Sequence, residues 1–261
     1  MTPQQIERAA DALIAAARER RRIPTLPEDC RPANEAEAAA ICDAIARKAD
    51  DAVAGWKIGA ADPAARAKLG LKLPFTGMIG RQAVHDSPAR FRHADLLRPV
   101  VESEYAYRMA RDLPPRGRPY AREEVERAVA ALHIGIEVPE SRLGDAHGLG
   151  ALAVVCDSGG VGRYVLGRGY EDWRGFDLVG QEVVLTINGR EAGRGTGASV
   201  MGHPAEALAW FANYLAEKGE GLKEGQFVST GSCTGILPVQ PGDRVVADFG
   251  PLGQVRVDFE G

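Results

Sequence analysis

Three acidic residues and one lysine carry the chemistry this chain could perform. Glu102 and Glu104 stand two apart in Pro99-Val-Val-Glu102-Ser-Glu104-Tyr-Ala-Tyr-Arg108, and Glu137 interrupts His133-Ile-Gly-Ile-Glu137-Val138. In a strand, residues two apart face the same way, about 7 Å from each other. Charges on an exposed edge strand are ordinary. Here, however, three acids break runs 100–107 and 132–138, which hold no lysine or arginine. If the runs meet, each carboxylate pair at about 4 Å repels by about 4 kcal/mol at an effective dielectric of 20. Such a cluster must take up protons or hold a cation. An all-oxygen donor set selects a hard divalent ion, Mg²⁺ or Mn²⁺ rather than zinc, and Mg²⁺ keeps water-filled positions that substrate oxygens can enter.

The lysine is Lys57, in Gly55-Trp-Lys57-Ile-Gly59. As a strand, this stretch puts Lys57 on the face of Gly55 and Gly59, leaving room around the ammonium. An apolar frame depresses a lysine pKa and suits it to proton transfer, whereas a surface lysine merely snorkels. A third feature is the turn Thr230-Gly231-Ser232-Cys233-Thr234-Gly235, whose amides and hydroxyls could cradle a carboxylate. Gly193-Arg-Gly-Thr-Gly197 lacks the lysine of a phosphate loop and opens no helix directly. The histidines at 85, 93, 133, 147 and 203 show no metal-ligand spacing, and His203 reads as a helix-cap neighbour.

The surrounding elements must position these groups. Apolar residues at 6, 9, 10, 13, 14 and 17 have helical spacing, with Thr2 and Pro3 suited to its start. Asn34 and Glu37 form a candidate capping box for a second helix to about residue 52. After Gly55, short apolar runs at 55–59, 100–107, 132–138, 151–156, 182–187, 227–229, 244–249 and 255–259 read as strands. Asn188-Gly189 marks a hairpin, and 250–253 joins the last two strands. One helix follows Ala121, carrying Val125, Val129 and Leu132; another follows His203-Pro204 and stops near Gly219. Strands and helices do not alternate regularly, which argues against a doubly wound sheet. The division expected is a helical N-terminal region, 1–54, and a mostly-β core, 55–261.

Composition sets the outer limits. The 261 residues are 45% hydrophobic and 26% charged, with a formal net charge of −4. That carries a sizeable core and no basic footprint for nucleic acid. No apolar run reaches the length of a membrane span, and the N-terminus lacks a signal-peptide pattern. Cysteines 30, 42, 156 and 233 form no CxxC pair and read as reduced core thiols of a cytoplasmic protein.

Taken together, Gly55-Trp-Lys57-Ile-Gly59, Pro99-Val-Val-Glu102-Ser-Glu104, Ile136-Glu137-Val-Pro-Glu-Ser141-Arg142 and Val155-Cys-Asp157 resemble the 2-keto-4-pentenoate hydratase / 2-oxo-hexenedioate decarboxylase family, within the fumarylacetoacetate hydrolase superfamily. Gly195-Thr-Gly-Ala-Ser-Val-Met-Gly202-His-Pro204, Thr230-Gly231-Ser232 and Gly242-Asp243 continue the pattern, from about residue 4 to the end. The resemblance implies an α+β fold, a mixed β-roll core with a small helical N-terminal region. It implies that Glu102, Glu104 and Glu137 bind Mg²⁺ or Mn²⁺, which chelates a 2-oxo acid and stabilises the dienolate formed as a proton moves. Lys57 matches the lysine that assists this transfer or holds the substrate. Ser232, with Gly231 and Asp157, falls at the substrate end.

The implied activity is hydration of a 2-hydroxy-2,4-dienoate in aromatic-compound catabolism. The alternatives are decarboxylation of 2-oxo-3-hexenedioate, or a silent member that binds a 2-oxo acid. The expected state is a homo-oligomer, associated in some relatives with another enzyme of the pathway. Two segments depart from the family: Pro-Asp-Phe-Gly is replaced by Pro74-Phe75-Thr76-Gly77, and Asp-Asn-Ala-Ser by Asp157-Ser158-Gly159-Gly160.

Overall fold

A computed structural model describes residues 1–144 and 148–261; His147 lies outside the described residues. Helix α1 (Pro3–Arg18) begins as expected, with the Thr2 side chain accepting from the Gln5 N–H and Pro3 in the first turn. Helix α2 (Glu35–Arg47) is capped by Asn34, which accepts from the Glu37 N–H. The second half of the expected box is missing, because the Glu37 carboxylate turns to the Ala33 N–H and the Met1 amino group. The helix also ends at Arg47 instead of near residue 52. The chain turns there toward the first strand at the surface, where the Asp51 carboxylate accepts from the Gln82 N–H.

The chain continues through β1 (Val53–Gly59), α3 (Pro63–Leu69), β2 (Phe75–Gly80), β3 (Val84–Asp86), β4 (Ala89–Arg92) and β5 (Val100–Met109). Next come α4 (Arg122–Glu126), β6 (Val129–Val138), α5 (Ala151–Cys156) and β7 (Arg163–Tyr170). The last third holds β8 (Glu182–Ile187), β9 (Arg190–Thr196), α6 (Pro204–Glu217), β10 (Phe227–Ser232), β11 (Leu237–Pro238), β12 (Arg244–Asp248) and β13 (Gln254–Glu260). One mixed sheet runs β2-β1-β10-β5-β6-β7-β3, with β11 also on β5; a second runs β4-β13-β12-β8-β9. The expected α+β class with a mixed β core is therefore the observed one. Asn188 and Gly189 both take positive φ (54° and 75°), the primed turn that closes the β8–β9 hairpin. His203 caps α6, its Nδ1 accepting from the Ala205 N–H at 3.0 Å.

Two expected elements differ. Residues 151–156 form helix α5, not a strand. A six-residue apolar run fits either state, and the choice falls to packing. Here Val155 and Cys156 join Ala9, Leu13, Ile41 and Leu71 in one buried cluster. The helix after Ala121 is only five residues long; Val129 and Leu132 are already in β6, facing the main core.

The four cysteines are free and buried. Burial pushes the Cys42 thiol up to about 11 and the Cys156 thiol up to about 12. Native protein is therefore expected to give almost no reaction with a thiol reagent at mildly alkaline pH, and all four thiols in denaturant. Rapid native labelling of Cys42 or Cys156 would contradict this packing.

Candidate functional site

Strand pairing alone assembles the acidic cluster. In the antiparallel β5–β6 ladder, Glu102 stands opposite Glu137, and Glu104 opposite Gly135. One carboxyl oxygen from each of the three acids lies within 4.8 Å of the others. All three residues are buried, Glu104 and Glu137 almost completely. Lys57 joins them from β1, only 3% exposed, its Nζ 2.8 Å from Glu137 Oε1 and donating to the Gly159 carbonyl at 3.0 Å. Lys57 and Glu137 lie three strands apart in the sheet order, about 14 Å in a flat sheet. Their contact requires the sheet to curl around the site.

The electrostatics are unbalanced. Three carboxylates against one ammonium leave a formal charge of −2 in a desolvated space. Burial first, then the charge of Glu137, pushes Glu102 up to about 7. Burial and the same neighbours hold Glu104 well above the usual carboxylate range. Glu137 is also raised by burial, although Lys57 counteracts the shift. The Lys57 ammonium was expected to be depressed. Burial does push it down, but Glu137, Glu102 and Glu104 together outweigh that, and the net shift is upward.

The glycines beside Lys57 also act otherwise than expected. A Cβ on Gly55 would sit 2.4 Å from the Phe227 carbonyl oxygen, and one on Gly59 2.1 Å from the Phe75 ring. These glycines leave no empty space; they let Phe227 and Phe75 pack closely against the strand that carries the lysine. Phe75 stands in the segment where the family carries an aspartate.

A hard divalent cation fits this donor set. Among the described residues neither buried Glu137 oxygen has a hydrogen-bond partner beyond the Lys57 ammonium 2.8 Å from Oε1, so Oε2 is left unanswered. Buried acceptors without a donor are rare unless a ligand answers them. The donors are all oxygens, and a +2 ion would cancel the residual charge.

The other expected site residues divide. Ser232 lines a cavity of about 800 Å³ together with Lys57, Glu102, Glu104 and Asp157. Its hydroxyl donates to the Gly235 carbonyl at 2.9 Å. Gly231, at φ 116°, points its N–H at Glu104 Oε2 (3.3 Å), so it serves a carboxylate of the protein. Asp157 reaches the same cavity wall, but its carboxylate is committed. It accepts from Arg142 Nε (2.6 Å), the Arg142 N–H (2.9 Å) and Ser141 Oγ (3.3 Å). Arg142 also donates to the Val161 carbonyl at 2.7 Å. The pair thus clamps residues 157–161, the segment whose Gly159 carbonyl holds Lys57. Glycines of 193–197 have a packing role: a Cβ on Gly195 would lie 1.9 Å from the Cys233 carbonyl oxygen.

Arg142, Phe75 and Ser229, which hydrogen-bonds Glu104, were not singled out as site residues from the sequence. Arg98 also lines the cavity; it is exposed, has φ 52° immediately before Pro99, and makes no hydrogen bond or ion pair with any described residue. Its left-handed backbone is costly for a non-glycine residue, a strain also present at Arg20, Ala60, Ser158, Asn188 and Met201.

Comparison with known proteins identifies the family. Residues 81–260 match the family model for the fumarylacetoacetate (FAA) hydrolase C-terminal domain. A 2-hydroxyhexa-2,4-dienoate hydratase of Comamonas testosteroni is 30% identical over 79% of this chain and 78% of its own. A 2-keto-4-pentenoate hydratase of Paraburkholderia xenovorans (strain LB400) is 28% identical over 100% of this chain and 97% of its own. Among solved structures, 4-oxalocrotonate decarboxylase from Pseudomonas putida G7, complexed with magnesium and adipate, superposes with a TM-score of 0.90. It is 27% identical, over 99% of this chain and 98% of that one. Among the described residues, no helix is long and apolar enough to cross a membrane.

Proposed function

Because the chain belongs to the fumarylacetoacetate hydrolase family, we propose that it is a divalent-metal-dependent hydratase that adds water to a small 2-hydroxy-2,4-dienoate. The observation that carries this reading is the buried meeting of Glu102, Glu104 and Glu137 with Lys57, where Lys57, Glu102 and Glu104 also line one cavity. Magnesium or manganese is the proposed ion, held by the three glutamates. Bound there, it would supply positive charge to draw electron density onto the 2-oxo oxygen of the substrate.

The chain's own groups do the rest. Lys57, which lines the cavity beside the three carboxylates, is the proposed proton donor to the substrate's carbon chain. The Gly159 carbonyl and Glu137 fix that ammonium in place, and the Arg142–Asp157 clamp fixes Gly159. Phe75 packs against Gly59 and Gly159 beside the lysine and helps keep bulk water from it. Ser232 is the proposed hydroxyl contact for the substrate, with Asp157 on the wall of the same cavity and the Gly231 amide behind it on Glu104. The product, a 4-hydroxy-2-oxo acid, contains one water more than the dienoate.

A second reading, decarboxylation of 2-oxo-3-hexenedioate, is favoured by Arg98: a partnerless guanidinium on the cavity wall suits a second carboxylate. Purified protein should be assayed with 2-hydroxypenta-2,4-dienoate and 2-oxo-3-hexenedioate, with and without Mg²⁺ or Mn²⁺. Metal-dependent loss of the dienoate is expected. Turnover of the enedioate alone would replace the hydratase by the decarboxylase, and metal binding without turnover of either would leave a silent relative.

A further inference from the structure

We infer that Tyr164 and Ser229 are positioning residues that hold the Glu104 carboxylate in ligating orientation, an inference that rests on the proposed metal centre. Tyr164 lies on β7 and Ser229 on β10, three strands apart in the sheet, yet their hydroxyls are 2.7 Å from each other. Both side chains are fully buried. Ser229 Oγ is in turn hydrogen-bonded to Glu104 Oε2, and the Gly231 N–H reaches the same oxygen. A serine hydroxyl has one proton. When Glu104 is ionised that proton goes to the carboxylate, and the Tyr164 O–H donates into the remaining lone pair of Ser229.

The backbone is built to allow this. Tyr164 is paired with Glu137, and its ring passes over Gly135, the residue opposite Glu104. A Cβ on Gly135 would sit 2.3 Å from the Tyr164 hydroxyl. That explains a glycine in the middle of Ile134-Gly135-Ile136, where packing alone would favour a branched side chain. By contrast, the buried hydroxyls of Tyr105 and Tyr107, on the other face of β5, have no hydrogen-bond partner among the described residues. Partners that orient metal ligands typically contribute 10–100-fold in metal affinity.

The test is calorimetric titration of Mn²⁺ into Tyr164→Phe, Ser229→Ala and their double variant, with Tyr107→Phe as the control for loss of a buried hydroxyl. Melting each protein in chelator reports the fold separately. Mn²⁺ binding is expected to weaken roughly tenfold or more in Tyr164→Phe and Ser229→Ala, and not in Tyr107→Phe. Because Tyr164 acts through Ser229, the double variant should bind no more weakly than Ser229→Ala alone. Gly135→Ala, which removes no polar group, should weaken binding by displacing the Tyr164 ring. If Tyr164→Phe is unstable in chelator, Ser229→Ala decides the outcome. Wild-type affinity in Ser229→Ala, or additive losses in the double variant, would overturn the positioning role while leaving the metal centre intact. Absence of Mn²⁺ uptake by the wild type would overturn both.

Discussion

Glu137→Gln is expected to abolish both Mg²⁺ or Mn²⁺ binding and turnover, while leaving the metal-free fold about as stable as before. The substitution keeps the shape of the side chain and removes a carboxylate whose two buried oxygens meet, among the described residues, only the Lys57 ammonium at Oε1. Loss of a direct ligand should exceed the roughly 10–100-fold cost of losing an outer-shell partner. The stability half of the expectation follows from magnitudes. At an effective dielectric of 20, the Lys57–Glu137 contact at 2.8 Å is worth about 6 kcal/mol of attraction. The two repulsions of Glu137 with Glu102 and Glu104, at no more than 4.8 Å, cost at least about 7 kcal/mol together when all are ionised and less as Glu102 and Glu104 take up protons. The two effects nearly cancel, so the variant should fold.

The difference appears when metal is added. Wild type with the ion at about a hundred times its dissociation constant gains about 2.7 kcal/mol of stability, seen as a rise in melting temperature. The variant should show no such rise and no binding heat. A Glu137→Gln protein that still takes up Mn²⁺ with wild-type affinity would remove Glu137 from the centre.

How much of this was legible in the sequence depended on how local each cause is. Acids at 102, 104 and 137 could be read as a cluster because strand alternation and one antiparallel pairing are enough to bring them together. Asn188-Gly189 and His203-Pro204 were legible because a turn and a cap are decided within four residues. The Ala151–Cys156 run was not, because six apolar residues satisfy either periodicity and only packing against α2 and its neighbours selects a helix. Gly55 and Gly59 looked like vacancies along the strand; the residues that fill them, Phe227 and Phe75, come from neighbouring strands. Asp157 looked like a ligand-facing acid. Its partner, Arg142, sits fifteen residues earlier, across a segment that gives no register from which to predict the pairing. The lysine's environment was read as apolar, yet the curl of the sheet brings it three carboxylates, and their field reverses the expected direction of its shift.

That reversal makes Lys57→Met the most discriminating experiment at the site. If Lys57 Nζ delivers a proton to the substrate, the variant should lose turnover by about 10²–10⁴-fold, the usual contribution of a positioned proton donor. Methionine preserves most of the buried stem of a side chain that is only 3% exposed, so packing changes little. Metal binding should become tighter, because the ammonium 2.8 Å from Glu137 competes with a divalent cation for the same carboxylate. A lysine that serves only as a counter-ion would also give tighter binding on removal, but with turnover preserved once metal is saturating. Measuring Mn²⁺ affinity by calorimetry and turnover at saturating Mn²⁺ on the same preparation separates the two roles. Undiminished turnover would take Lys57 out of the proton path and leave it as the group that keeps three buried carboxylates folded until the metal arrives.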